Sequence, residues 1–111
     1  MNWTQGRQKT GYLKKCIINS KRFKFDIYLL KYPEGSEIPK HIDSPILSSY
    51  EHHRVNIILK KPKQGGDFYI NDIKQIGRFF KFRPDIQEHH VTKIISGQRY
   101  VLSIGWCLKR K

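Results

Sequence analysis

Apolar residues in this chain come in short bursts, and turn residues break each burst before a helix-length stripe can build. GYLKKCIINS (residues 11–20) is followed by FKFDIYLLKY (23–32), which Pro33, Glu34 and Gly35 stop. IPKHID (38–43) ends at Ser44–Pro45, and HRVNIILKK (53–61) ends at Pro62 and the Gly65–Gly66 pair. DFYI (67–70) turns at Asn71–Asp72, and GRFFKFRP (77–84) stops at Pro84–Asp85. EHHVTKII (88–95) turns at Ser96–Gly97, and QRYVLSIGWCL (98–108) runs almost to the end. The bursts are rich in Ile, Leu, Val, Phe and Tyr, which suit a pleated, half-buried surface. Alanine, the best helix former, is absent. About eight short strands at close intervals predict an all-β sandwich or barrel. Only residues 1–10 and 46–52 are left for helix or loop. With so little helix to cover a sheet, the strands must bury their faces against one another. A jelly roll (double-stranded β-helix) does this.

Composition sharpens the picture. The chain has 111 residues, which fits one domain spanning 1–111. With 38% hydrophobic and 13% aromatic residues it is no disordered polymer. Cys16 and Cys107 have no metal-ligand spacing and read as reduced, partly buried thiols. No apolar run approaches a membrane helix. The N-terminus lacks the apolar stretch of a signal peptide, so a soluble, cytoplasmic protein is expected. The formal charge of +13, from 22 basic and 9 acidic residues, would attract nucleic acid, acidic proteins or small anions, or simply be solvated. Arg7, Lys9, Lys14, Lys15, Lys21, Arg22 and Lys24 crowd the N-terminal third. They are expected to recruit an anionic partner.

Candidate chemistry centres on three residues. His41 and Asp43 are one residue apart, so on a strand both face one point. His89 comes much later, at the start of another strand run. Two imidazoles and one carboxylate form the facial triad of non-haem iron oxygenases, with positions left open. The same set can hold a hydrolytic zinc. Alternation groups His89 with Val91 and His90 with Thr92. Asn56 alternates with Arg54 and Ile58 and can reach the same cavity. Asp67, after two glycines, reads as a turn residue. His52 and His53 read as an exposed loop pair, and Phe79, Phe80, Tyr100 and Trp106 read as core.

From Tyr32 onward the chain resembles the prolyl-hydroxylase-like branch of the 2-oxoglutarate oxygenases. YPEGSEIPKHID (32–43) looks like that family's strand leading to its His-X-Asp. Arg54 matches the basic residue opening the next strand, and GGDFYI (65–70) looks like the Gly-Gly-acidic turn. FKFRPDIQEHHVTKIISGQRYVLSIGW (80–106) resembles the closing pattern of strand, Pro, distal His, Gly and basic residue. In that pattern a Gly falls eight positions after the distal His and the basic residue ten. Gly97 and Arg99 therefore select His89 over His90. The GRQ…TGY stretch near the N-terminus resembles the opening of short phage-type oxygenases, so a phage-encoded protein is compatible.

The resemblance implies iron(II) on His41, Asp43 and His89, and 2-oxoglutarate as co-substrate, with ascorbate compatible. It implies that Arg99, facing inward with Val101 and Ser103, grips the far carboxylate of 2-oxoglutarate in bidentate fashion. Tyr32 matches a tyrosine near the co-substrate. The implied reaction decarboxylates 2-oxoglutarate to succinate and hydroxylates a substrate. A protein side chain is the family-level substrate. Nucleic-acid demethylating relatives carry a second arginine that RYVLSIGW (99–106) lacks. Many relatives buttress the barrel with helices, so a partner or second copy is expected over the exposed sheet. Two rival readings are a zinc hydrolase and a metal-free basic β-barrel module that binds nucleic acid.

Overall fold

The computed structural model describes residues 3–6, 10–43 and 49–109. Among them no helix forms, and twelve strands do. These are β1 (Thr4–Gln5), β2 (Leu13–Ser20), β3 (Phe25–Tyr32), β4 (Ile38–His41), β5 (Tyr50–Lys60) and β6 (Gln64–Gly65). They continue as β7 (Phe68–Ile70), β8 (Ile73–Lys74), β9 (Phe79–Phe82), β10 (His89–Val91), β11 (Ile94–Ser96) and β12 (Arg99–Lys109). A six-stranded sheet runs β1-β2-β3-β12-β5-β9, a four-stranded sheet runs β4-β10-β7-β8, and β11 pairs with β6. All pairings are antiparallel. This is the all-β jelly roll that the pattern of bursts predicts.

Period-two alternation decides what faces inward. Along β12, Arg99, Val101, Ser103 and Gly105 are buried, while Tyr100, Leu102, Ile104 and Trp106 are half-buried on the outer face. The core forms where the inner faces meet. Tyr32, Ile58, Phe80, Phe82 and Val101 come from the larger sheet, and Ile38, Phe68, Ile70 and Val91 from the smaller. Phe68 joins the two, with ring centroids 5.6 Å from Phe80 and 5.2 Å from Phe82. Each such buried apolar side chain contributes about 1.5–3 kcal/mol.

The structure departs from the sequence reading at several places. The 38–43 burst leaves the strand after His41, and the 88–95 burst breaks into β10 and β11. β5 begins at Tyr50, so His52 and His53 are half-buried strand residues and not an exposed loop pair. Their polarity hid a strand that β12 holds by register, Cys107 opposite His52 and Trp106 opposite His53. Arg54 accordingly sits within β5 and does not open it. Phe79 is 65% exposed and no core residue, because only Phe80 and Phe82 of β9 face inward. Thr4–Gln5, expected as helix or loop, pairs with β2. Residues 7–9 of the GRQ stretch, including Arg7 and Lys9, lie outside the described residues. So do Ser44–Pro45 and the first part of the 46–52 segment. No helix of the described residues is long and apolar enough to cross a membrane.

One glycine carries a packing argument. Gly105 on β12 stands in register between Asp26 on β3 and Arg54 on β5. Arg54 crosses it to reach Asp26, 2.6 Å from NH2 to Oδ1. A Cβ at position 105 would collide with the guanidinium. Gly105→Ala is expected to destabilise by about 1–3 kcal/mol, as overpacking does. Arg54→Ala removes the colliding group, so the double variant should lose less than the sum of the singles. Chemical denaturation of the four proteins checks this, and strict additivity would contradict the account.

Candidate metal centre

Sheet register builds the centre. β4 and β10 are antiparallel with His41 directly opposite His89, and their ring centroids are 4.2 Å apart. Asp43 lies just past the end of β4, where its N–H donates to the Pro84 carbonyl at 2.8 Å. That bond turns the carboxylate back between the rings. Asp43 Oδ1 is 3.4 Å from His41 Nε2, and Oδ2 is 3.4 Å from His89 Nε2. One donor atom from each of the three residues lies within 4.8 Å of the others.

The donor chemistry fits a divalent cation. His41 Nδ1 donates to the Pro39 carbonyl at 2.8 Å, and His89 Nδ1 to the Gln87 carbonyl at 2.9 Å. A carbonyl only accepts, so the proton sits on Nδ1 and the Nε2 lone pair is left for a metal. Ligands about 2.0–2.2 Å from one cation stand roughly 3–3.5 Å apart, the spacing of the Asp43 oxygens from each Nε2. Burial pushes the Asp43 carboxyl up, but the two facing imidazoles, which donate to it from Nε2 when protonated there and yield that atom to a metal otherwise, outweigh burial and hold it well below the ordinary carboxylate range. The carboxylate is therefore ionised at neutral pH, as a ligand must be. His89 is 6% exposed, with Phe68 and Phe82 edge-on to its ring. His90, on the opposite side of β10, stacks flat on Tyr69 at 4.6 Å.

The turn after β9 supports two of the three ligands. Pro84 accepts from Asp43, and Gln87 accepts from His89. Arg83 and Asp85 brace that turn by a two-pronged contact, Nε to Oδ1 at 2.9 Å and NH2 to Oδ2 at 2.7 Å. The His52 N–H adds a bond to Asp85 at 3.3 Å. Burial raises the Asp85 pKa, but Arg83 and the backbone N–H groups outweigh it and hold it below the usual value. A folded pKa below the unfolded one gives stability present above the unfolded value near 3.9 and lost as pH falls through the folded value. Asp85→Asn is thus expected to destabilise by about 1.5–3 kcal/mol at neutral pH. The gap from wild type should narrow as pH drops below about 4. An unfolding series between neutral pH and pH 3 tests the sign, and a gap that widens in acid would contradict it.

A cavity of about 440 Å³ opens beside the cluster, lined among others by His41, Asp43, His89, Tyr32 and Asn56. A polar chain crosses its wall. Arg54 bridges Asp26 and Ser103, and Ser103 donates to Asn56 Oδ1 at 2.6 Å. Arg99 is placed differently. It is 1% exposed, and none of its three guanidinium nitrogens has a hydrogen-bond partner among the described residues. Its guanidinium carbon lies 4.6 Å from the centre of the Tyr32 ring, and Tyr12 stacks on Tyr32 at 5.4 Å. Arg99 lines a second cavity of about 500 Å³, which shares Phe68 with the first. Five of the six sequence-selected residues thus meet in one cavity, and Arg99 touches that cavity through Tyr32. Burial pulls the Arg99 pKa down from its ordinary value, and Tyr32 and Asp67 partly counter this.

Sequence reasoning missed Tyr12, Asp26 and Tyr28 as cavity residues, whereas the inward side that alternation gave Ser103 does line the cavity. Asp26 and Tyr28 alternate with Leu30 and Tyr32 along β3, so period two could have found them. Tyr12 carried no such signal, because it enters before β2 begins.

The fold and this cluster define an all-β jelly roll with a candidate metal centre. No family model matches the chain, and no curated protein matches it. Solved structures do resemble it. A prolyl-4-hydroxylase from Pseudomonas putida superposes with a TM-score of 0.72 at 14% identity, covering 98% of this chain and 78% of that one. KdgF from a Halomonas species gives 0.67 at 13% identity, covering 100% and 88%. The Cnp3 cupin domain of Schizosaccharomyces pombe gives 0.59 at 13% identity, covering 96% and 68%. At such identities the likeness carries the fold.

Proposed function

We propose that this protein is an iron(II)- and 2-oxoglutarate-dependent dioxygenase. The reading rests on one juxtaposition: a His41–Asp43–His89 cluster and, behind the Tyr32 ring that lines the same cavity, a buried guanidinium that lacks a hydrogen-bond partner among the described residues. The cluster alone suits zinc equally well. A zinc hydrolase leaves Arg99 without a role, whereas a co-substrate with a far carboxylate supplies what Arg99 lacks. The prolyl-4-hydroxylase similarity supports the same choice at the level of fold.

In this reading His41, Asp43 and His89 hold the metal, and Arg99 takes the far carboxylate of 2-oxoglutarate. Tyr32 lies between the two ends. Iron(II), when bound, would supply the chemistry with 2-oxoglutarate and dioxygen: oxidative decarboxylation to succinate and carbon dioxide, with the second oxygen atom going to a substrate C–H bond. The chain supplies geometry. The Pro39 and Gln87 carbonyls fix both imidazoles with Nε2 turned toward Asp43. Phe68 and Phe82 shield His89 from water. The Asp26–Arg54–Ser103–Asn56 chain gives the cavity wall both donors and acceptors. Such a wall suits a polar side chain of a protein substrate.

The test is succinate production from 2-oxoglutarate by the full chain under air, with iron(II), with zinc(II) and without metal. Turnover with iron only is expected. Zinc-dependent hydrolysis without succinate, or equal behaviour with and without metal, would overturn the reading.

A further inference from the structure

The second cavity has features that the metal chemistry does not use. Its charged wall is Lys61, Lys63, Lys74 and Arg99 against one carboxylate, Asp67. Lys74 already faces Asp67 at 3.6 Å. Among the described residues no carboxylate stands within ion-pair distance of Lys61, Lys63 or Arg99, and Asp67 acts on Arg99 only from farther off. Exposed lysines alone would mean little, since water solvates them. Arg99 is different: it is 1% exposed and all three nitrogens lack a partner. A cation taken from water and left unpaired is costly to bury, and an anion relieves that.

The backbone keeps space free beside it. Gly65 and Gly66 have φ of 81° and 69°, a conformation L side chains rarely adopt. A Cβ at Gly66 would collide with Ile94 and Pro62 and stand 3.5 Å from Arg99 Cδ. Any side chain there would fill the room next to the arginine stem.

We propose that this cavity binds a small, multiply charged oxyanion through Arg99, Lys61 and Lys63, and that this anion competes with the co-substrate for the Arg99 guanidinium. The competition rests on the oxygenase reading above, and the anion site does not. The physical reason for antagonism is that Arg99 carries one charge. Tyr32 stacks on it and also lines the metal-side cavity, whereas Arg99 itself lines the second. Two anions drawn to one guanidinium repel each other, so each weakens the other. The coupling must be reciprocal, with the same factor seen from either ligand.

Sulfate is the probe, because it binds metals weakly. In the first arm it is titrated calorimetrically into the full chain without added metal, at ionic strength held constant with chloride. Arg99→Ala is expected to weaken sulfate about 10-fold or more. Arg99→Lys should recover part of that, since a point charge replaces a fork. Lys61→Gln with Lys63→Gln alters only exposed side chains, so it keeps the test valid if the Arg99 variants fold poorly. It too should weaken sulfate several-fold. In the second arm, 2-oxoglutarate binding is measured with manganese(II), with and without saturating sulfate. The wild-type affinity should fall several-fold with sulfate, and at the sulfate concentration that just saturates wild type the lysine double variant should show a smaller fall.

Equal sulfate affinity in wild type, the arginine variants and the lysine variant would overturn the site and leave only surface charge. Sulfate bound through Arg99 and the lysines, with an unchanged 2-oxoglutarate affinity, would overturn the competition. If 2-oxoglutarate binds in neither buffer, the oxygenase reading falls, and the first arm still decides the cavity.

Discussion

Asp43→Ala is expected to abolish stoichiometric iron(II) binding and all turnover while the jelly roll survives. The carboxylate faces both imidazoles, 3.4 Å from each Nε2. Without it the two histidines remain register partners, but only two neutral ligands are left. The loss in metal affinity should exceed the roughly 10–100-fold typical of removing a group that only orients a ligand. Stability of the metal-free protein should change by no more than about 1–2 kcal/mol, because the side chain is partly exposed and its hydrogen bonds are exchanged for water. Anaerobic iron titration and thermal unfolding measure the two halves separately. Tight one-to-one iron retention by Asp43→Ala would remove the triad. The histidines give an internal control. His89→Ala should be as inactive as Asp43→Ala. His90→Ala should keep its metal, because that ring stacks on Tyr69. The reverse outcome would mean that the register of β10 is off by one residue.

Arg99→Ala is expected to weaken 2-oxoglutarate far more than it weakens iron. The guanidinium forms no part of the metal cluster, so only the carboxylate contact goes. A charge-assisted contact contributes about 1.5–3 kcal/mol, or roughly 10- to 150-fold in affinity. Arg99→Lys should recover only part of it. The same substitution has a second, opposite consequence for the apo protein. Removing an unpaired buried cation takes away a desolvation penalty, so the loss of Tyr32 stacking should be offset and the fold retained. Co-substrate titration at fixed metal decides the matter. An affinity equal to wild type would take this role from Arg99.

The all-β class was legible in the sequence because burial on a strand has period two, and chains with short β-branched and aromatic bursts between turn residues have few other ways to hide them. The same period put Arg99, Val101 and Ser103 on one face, as they are in β12. His41, Asp43 and His89 stood out by residue type and spacing, and by resemblance to a known pattern.

Other features are set by partners distant in sequence. The opposition of His41 and His89 is a property of the β4–β10 register. Asp43 reaches the centre through a hydrogen bond to Pro84, not by strand alternation, since the strand has ended. His52 and His53 lie in a strand because β12 pairs with them, which overrides their local polarity. Gly105 is unremarkable in the chain and matters only because Asp26 and Arg54 flank it across two neighbouring strands. Local patterns determine which way a side chain points from its own strand. Only the closed barrel determines what it meets there, because the partners are supplied by sheet register and by turns that no short window contains. Arg99 shows the division most clearly: its inward direction follows from alternation, but its place in the wall of the second cavity, without a hydrogen-bond partner among the described residues, is a fact of the tertiary structure alone.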